Sequence, residues 1–377
     1  MSIFLVTESV QARSVRKNKE EIEMKNWKLG KRILAASLAG LLCLGGLTGC
    51  GGGEEAKGDG EKKVQIKAAI VVSGGFGTQS FSDVALAGCQ KAADEFGFEL
   101  NKIEKVSAAD AANTARSLIS QGINVIIFPA DTYQDTIKEL APEYPDVYFV
   151  SPDCAIPDLE NVASAFYREQ EAAFLLGALG GKLTKSNKLA FIGSNSNVIM
   201  NRFDYGFQAG VKYVNSRATV TSTQTGSYTD VNKGKEIANM LYDQGVDYIA
   251  PAAAACNVGV FQASSERGGN CWTFGAADGQ FHLMPDRIVA SQVKRVDNTC
   301  YRFLKEIAEG SFKGGTPVEM GLKEEGVDLL YTTNETLKAT IPQETIDQVE
   351  ALRKDVIDGK IKVPATKEEF DSFQFPA

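Results

Sequence analysis

Only one histidine, His282, occurs in 377 residues, and that scarcity removes most of the constellations on which catalytic and metal chemistry rest. A Ser-His-Asp triad would have to draw on His282 in the loop Gly279-Gln280-Phe281-His282-Leu283-Met284-Pro285, and no Gly-x-Ser-x-Gly elbow accompanies it. No Gly-Lys-Ser/Thr follows Gly74-Gly75-Phe76-Gly77, so those glycines read as a tight strand-to-helix turn rather than a phosphate loop. Cys-x-x-Cys spacing is absent too. Of the seven cysteines, Cys43 and Cys50 fall in an N-terminal apolar stretch; Cys89, Cys154, Cys256, Cys271 and Cys300 are scattered and odd in number. Buried free thiols are expected, with a Cys256 to Cys271 bridge left open as an exception. Positive charge is also in deficit: the net charge is -8, and residues 1–49 carry eight Lys/Arg against four Asp/Glu, leaving a body at -12. An acidic body argues against nucleic acid as a partner and against charge-driven adhesion to an anionic membrane. Neither a metal, a cofactor nor an enzymatic activity is expected.

Long apolar runs are missing as well. The longest, Ile33 to Leu47, is too short to span a bilayer comfortably, and Lys25, Lys28, Lys31 and Arg32 precede it. A basic flank followed by a short apolar run reads as a signal peptide over residues 1–49. It begins cleanly at Met24, which is the expected start, with residues 1–23 outside the pattern. Leu47-Thr48-Gly49-Cys50 closes the run and resembles the bacterial lipobox, which implies lipidation at Cys50. Residues 50–63, rich in glycine and charge, cannot build a core and read as a flexible leash that holds the body off the membrane. A transcription regulator would need a DNA-reading domain where this signal stands.

From Val64 onward the chain repeats short apolar run, polar turn and helical stretch, the pattern of a parallel sheet with helices on both faces. One set runs through Lys67–Val72, Ser82–Phe96, Phe98–Leu100, Ala109–Ser120, Asn124–Phe128, Asp131–Leu140 and Val147–Val150. A second runs through Lys188–Gly193, Met200–Val214, Ala218–Thr223, Asp230–Gln244, Val246–Ala250, Asn257–Arg267, Cys271–Phe274 and Arg287–Ser291. Val293–Glu309 and Glu335–Ile357 follow as helical segments. Two successive sets predict two doubly wound parallel-sheet α/β lobes joined by a hinge, with 64–165 and 292–325 in the N-terminal lobe and 166–291 and 326–377 in the C-terminal lobe. Ligands of open α/β sheets lie beyond the carboxyl ends of the strands, which draws attention to the turns at 73–82, 129–132, 194–197, 224–228, 252–257, 276–280 and the Ser291–Lys294 corner.

Several of these stretches carry a resemblance. Asn161-Val162-Ala163-Ser164-Ala165-Phe166-Tyr167-Arg168-Glu169-Gln170-Glu171 with Gly177, Arg202-Phe203-Asp204-Tyr205-Gly206-Phe207-Gln208-Ala209-Gly210, Gly226-Ser227-Tyr228-Thr229-Asp230 with Lys233-Gly234-Lys235, and Ser291-Gln292-Val293-Lys294-Arg295-Val296-Asp297 are similar to the basic membrane protein (PnrA-like) family of substrate-binding lipoproteins. The resemblance implies a type I periplasmic-binding-protein fold, a purine-nucleoside-like ligand, an ABC permease and ATPase as partners, and a place on the extracytoplasmic face of the cell membrane. A sugar or other small metabolite, or a surface lipoprotein without a transport ligand, is the alternative.

The site residues carried over are Phe81 and Ser80, with Thr78 at a position where the family has an acid or amide. The first pocket strand of the family ends in a pattern like Asp-x-Gly-Gly-x-Asp/Asn-Asp-x-Ser-Phe-Asn. Here the matching positions are Val72, Gly77, Thr78 and Ser82, so the groups that read a purine edge are replaced and the ligand preference should shift. At the sugar end the family resembles Ile-Gly-Val-Asp-x-Asp-Gln, whereas this chain has Phe274-Gly275-Ala276-Ala277-Asp278-Gly279-Gln280. Asp278 is therefore the candidate acceptor, one place later than the pattern. Asn257, with Ala254 and Cys256, makes bulkier a turn that is glycine-rich in the family. Lys294 matches without slippage and is expected to donate to a ligand oxygen. Tyr228 is the expected partner of Phe81 across a flat ligand, while Asp230 is expected to cap the helix after it.

Overall fold

Two six-stranded sheets account for the alternation read from the sequence. The computed structural model describes residues 65–77, 81–277 and 279–376. The first sheet collects β1 (Lys67–Val71), β2 (Glu99–Ile103), β3 (Val125–Ile127), β4 (Tyr148–Ser151), β5 (Val162–Tyr167) and β11 (Val318–Met320), in the order β11-β5-β4-β3-β1-β2. The second collects β6 (Lys188–Gly193), β7 (Thr219–Gln224), β8 (Tyr248–Ala252), β9 (Trp272–Gly275), β10 (Ile288–Lys294) and β12 (Val327–Tyr331), in the order β12-β10-β9-β8-β6-β7. All pairings are parallel except β10 with β12. β3, and β1 after its exposed first residue Lys67, are apolar and buried because helices cover both faces of the sheet.

The helices are α1 (Phe81–Phe96), α2 (Ala108–Ser120), α3 (Gln134–Glu143), α4 (Glu169–Leu183), α5 (Val198–Val214), α6 (Val231–Asp243), α7 (Cys256–Arg267), α8 (Val296–Ala308), α9 (Glu335–Lys338), α10 (Gln343–Ile357) and α11 (Lys367–Ser372). Their starts carry the local signals that stop a strand and begin a helix. Ser107 accepts from the Asp110 N–H, Asn197 from the Met200 N–H and Asp230 from the Lys233 N–H, each satisfying an amide that the first helical turn leaves open. The cap expected at Asp230 is therefore present. Among the described residues, no helix is long and apolar enough to cross a membrane.

α4 is buried from Glu169 to Gly181, which explains why it shows no amphipathic stripe. Its glycines let α5 approach backbone to backbone: a Cβ at Gly177 would strike the Phe207 carbonyl, and one at Gly210 would strike the Phe174 carbonyl. Both helices belong to one apolar core, through Phe174 and Phe207, that also takes in residues of both sheets, among them Ile70 and Leu329.

Three passages carry the chain between sheets: β5 into α4, β10 into α8, and β11 into β12. The second corrects an expectation. The helix predicted from Val293 begins at Val296, and the strand runs on through Lys294, buried along its whole length because β9 and β12 flank it. Lys294 thus sits at a strand end inside the protein rather than on a helix start. The segment predicted as helical from Glu335 is interrupted before Pro342, whose missing N–H and fixed φ suit the start of α10.

Candidate functional site

The three interlobe passages converge on Lys294. Its Nζ donates to Asp153 Oδ1 at 2.6 Å and lies 3.0 Å from Glu169 Oε1. The same ammonium stands 5.3 Å from the centre of the Phe81 ring and 5.0 Å from that of Tyr167, within range of a cation–π attraction to both. Asp153 follows β4, Tyr167 ends β5, Glu169 opens α4 and Phe81 opens α1, so four elements contribute to one cluster. Arg202 of α5 completes it, donating from Nη1 to the Tyr167 carbonyl at 3.1 Å and to Glu169 Oε2 at 3.3 Å. The Tyr167 hydroxyl donates in turn to Thr299 Oγ1 of α8 at 2.7 Å.

Two cations and two carboxylates balance in number, but they share a site largely closed to water. The Glu169 side chain is 1% exposed, Lys294 10% and Asp153 12%. Burial pushes the Asp153 carboxyl up to about 7 against the attraction of Lys294, with Glu169 and Asp131 adding repulsion. Burial also disfavours the Lys294 ammonium, yet attraction and hydrogen bonds from Asp153 and Glu169 outweigh it and hold the pKa above the ordinary lysine value. The group is therefore a fixed cation at neutral pH. Gln292 stands two places earlier on the same strand, so the strand period puts it on the face that carries Lys294. Its amide is buried, and among the described residues neither its oxygen nor its nitrogen has a hydrogen-bond partner.

On the second sheet the carboxyl-end turns are tied internally. Asn257 is buried; its Oδ1 accepts from the Ala253 N–H at 2.8 Å and its Nδ2 donates to Gln280 Oε1 at 3.3 Å. The Ala276 N–H donates to the same Gln280 oxygen at 3.1 Å, so one amide bridges the turns after β8 and β9. Ala277 and Gly279 have positive φ, the geometry of a sharp reversal after β9. Tyr228 is 47% exposed, and its hydroxyl accepts from Asn197 Nδ2 at 3.4 Å, joining the turns after β6 and β7. On the first sheet, the turn after β1 is held by carboxylates: Phe76 N–H donates to Glu104 at 2.6 Å and Gly77 N–H to Asp83 at 2.7 Å.

Of the residues picked from the sequence, Phe81 and Lys294 come together, Asn257 is engaged between the turns after β8 and β9, and Tyr228 lies at a carboxyl-end turn of the second sheet. Thr78, Ser80, Asp278 and Cys50 lie outside the described residues. Asp153, Glu169, Arg202 and Gln292 were not selected. Three of these four stand inside stretches already singled out as similar to the family, while Asp153 had only its place after a strand to recommend it. The five body cysteines are free thiols, including Cys256 and Cys271. Among the described residues, no group of three His, Cys, Asp or Glu side chains is arranged to hold a metal.

Residues 65–367 match the family model described as ABC transporter substrate-binding protein PnrA-like. The chain belongs to this family. An ABC transporter nucleoside-binding protein, BmpA, of Lactococcus lactis subsp. cremoris is 31% identical over 89% of this chain and 99% of the relative. Basic membrane protein A of Borreliella burgdorferi is 28% identical over 81% of this chain and 90% of its own length. Among solved structures, an ABC transporter solute-binding protein from Aeropyrum pernix K1 superposes with a TM-score of 0.72 at 28% identity, covering 81% of this chain and 96% of that one. The chain is thus a substrate-binding component of an ABC transporter with the periplasmic-binding-protein fold, and its relatives are binding proteins rather than enzymes.

Proposed function

We propose that this PnrA-like protein is a lipoprotein, anchored through Cys50 on the extracytoplasmic face of the membrane, that captures a nucleoside-like ligand between its two lobes and hands it to an ABC permease. The observation that carries the reading is the Lys294 ammonium beside the Phe81 ring at the junction of the two sheets. A flat ring can lie on Phe81 while its oxygens take up donors from Lys294 and Gln292; Asp153 supplies an acceptor for a hydroxyl. Tyr228 adds to the set from a turn of the second sheet, Asn257 shapes the wall, and Thr78, Ser80 and Asp278 are assigned to it from the sequence alone. Closure follows from differential binding: the ligand favours whichever arrangement of the lobes gives it contacts on both sides, and shifts the equilibrium by no more than that preference.

A thermal-shift panel of nucleosides, bases and pentoses on residues 51–377 tests it. A nucleoside at a hundred times its Kd stabilises the protein by about 2.7 kcal/mol, which for a body of this size is a rise of about 4 °C. Phe81→Ala should weaken calorimetric affinity by about tenfold, the worth of one aromatic stack. A rise with pentoses but none with nucleosides would transfer the ligand to the sugar class; no rise with any of them would leave the lipoprotein without this ligand site.

A further inference from the structure

A polar cavity whose lining does not include Lys294 lies between α5 and the edge strand β7. It has a volume of about 280 Å³. The parallel register sets Phe191 beside Ser222 and Gly193 beside Gln224, and the bond from Ser222 to Asp204 shows that this is the sheet face covered by α5. Phe191 and Met200 supply an apolar floor, left open at Gly193, where a Cβ would approach the Phe191 ring at 3.3 Å and the Met200 sulfur at 3.6 Å. Asn201 and Gln224, both exposed, stand on its outer side.

The charge in this cavity is one-sided. Among the described residues that line it, Asp204 is the only ionisable one. Asp204 Oδ1 accepts from the Ser222 hydroxyl at 2.5 Å and from Gln208 Nε2 at 2.8 Å, whereas Oδ2 accepts from no described residue. Burial raises the carboxyl above its ordinary value even with those two donors in place, so the site supplies less compensation than the charge would draw from water. The helix also separates this residue from the interlobe cluster. Arg202, which reaches Glu169, precedes Asp204 by two positions, and two residues turn about 200° around a helix axis.

We propose that this cavity is a second ligand site, selective for a small aliphatic ammonium compound. The ammonium meets Asp204 Oδ2 and the side-chain carbonyls of Asn201 and Gln224, while a short carbon stem lies on Phe191 and Met200. Anions are repelled by the unopposed carboxylate. A neutral alcohol gains the stem contact without the charge. The volume sits just under the roughly 300–1,000 Å³ of sites for larger ligands, which restricts the occupant to a few carbons.

Calorimetric titration of the whole purified chain with n-butylamine and 1,4-diaminobutane, with n-butanol and acetate as comparators, tests this. Amine binding with a Kd of about 0.1–1 mM is expected, weakened by about tenfold in Asp204→Asn and in Asn201→Lys, the latter an exposed position whose change leaves the fold intact. Lys294→Met should retain amine binding, since that residue belongs to the other site. The proposal is overturned by no binding at about 10 mM amine, by equal affinity for n-butanol, or by wild-type affinity in both cavity variants. Loss of amine binding in Lys294→Met with retention in Asp204→Asn would place the amine between the lobes and equally overturn it.

Discussion

Replacing Lys294 by methionine should destabilise the protein in a way that depends on pH, because the lysine is the main counter-charge of Asp153. Methionine keeps most of the apolar stem and removes the ammonium that sits 2.6 Å from Asp153 and 3.0 Å from Glu169. Removing one partner of a buried ion pair costs about 3–5 kcal/mol when the remaining charge must stay ionised. Proton uptake offers an escape, and the sign follows from Asp153. Its carboxyl stands at about 7 in the folded protein, whereas an unfolded aspartate releases its proton near 4. Between those values the native state holds a proton that the unfolded chain has lost, so this group's contribution to stability falls as pH rises through the window. Without the attraction of Lys294 the folded carboxyl climbs further, and the falling limb extends above pH 7. We expect a loss of about 3–4 kcal/mol at pH 8.5 and about 2 kcal/mol at pH 6, the residue at low pH coming from Glu169, which keeps Arg202 at 3.3 Å. Urea unfolding of residues 51–377 at the two pH values measures both. An equal loss at pH 6 and pH 8.5, or a loss under about 1 kcal/mol at pH 8.5, would refute the reasoning.

Three further outcomes are expected. Gly210→Ala drives a methyl into the Phe174 carbonyl and should cost about 3 kcal/mol or more, read as a fall in Tm of several degrees; an unchanged Tm would mean that α4 and α5 do not pack backbone to backbone. A thiol reagent should find five cysteines in denatured residues 51–377 with or without prior reduction, whereas in the native protein Cys89, Cys256 and Cys300 are buried and Cys154 is held unreactive by burial that pushes its thiol up to about 11; reaction led by any residue other than Cys271 would contradict this. Cys50→Ser should release the protein from the membrane fraction, since a body at net charge -12 is not drawn to an anionic surface by charge; retention would place the anchor elsewhere.

The division between what was legible and what was not follows the range of the interactions. Period and punctuation are local, so the alternation of strands and helices could be read directly, together with the cap at Asp230 and the carboxyl-end turns where the site lies. Strands β5, β11 and β12 escaped, as did the helix α4; strands of three to six residues, with Glu319 and Asp328 among those of β11 and β12, acquire strand identity only from neighbours far away in sequence. The burial of α4 on every side escaped for a related reason: its lack of an amphipathic stripe gives no hint of which elements will cover it.

Composition and local pattern by themselves determined that this chain makes α/β lobes, lacks the histidine and cysteine groupings of a metal centre, carries an acidic body behind a short apolar stretch of sequence, and bears the motifs of its family. Tertiary structure alone decided what Lys294 is. Asp153 lies 141 residues away, and the two meet because parallel strands bring their carboxyl ends to one edge of each sheet, where passages between the lobes cross. Charge pairing over such a separation leaves no period and no spacing in the chain, so only the folded arrangement shows which carboxylate the lysine serves.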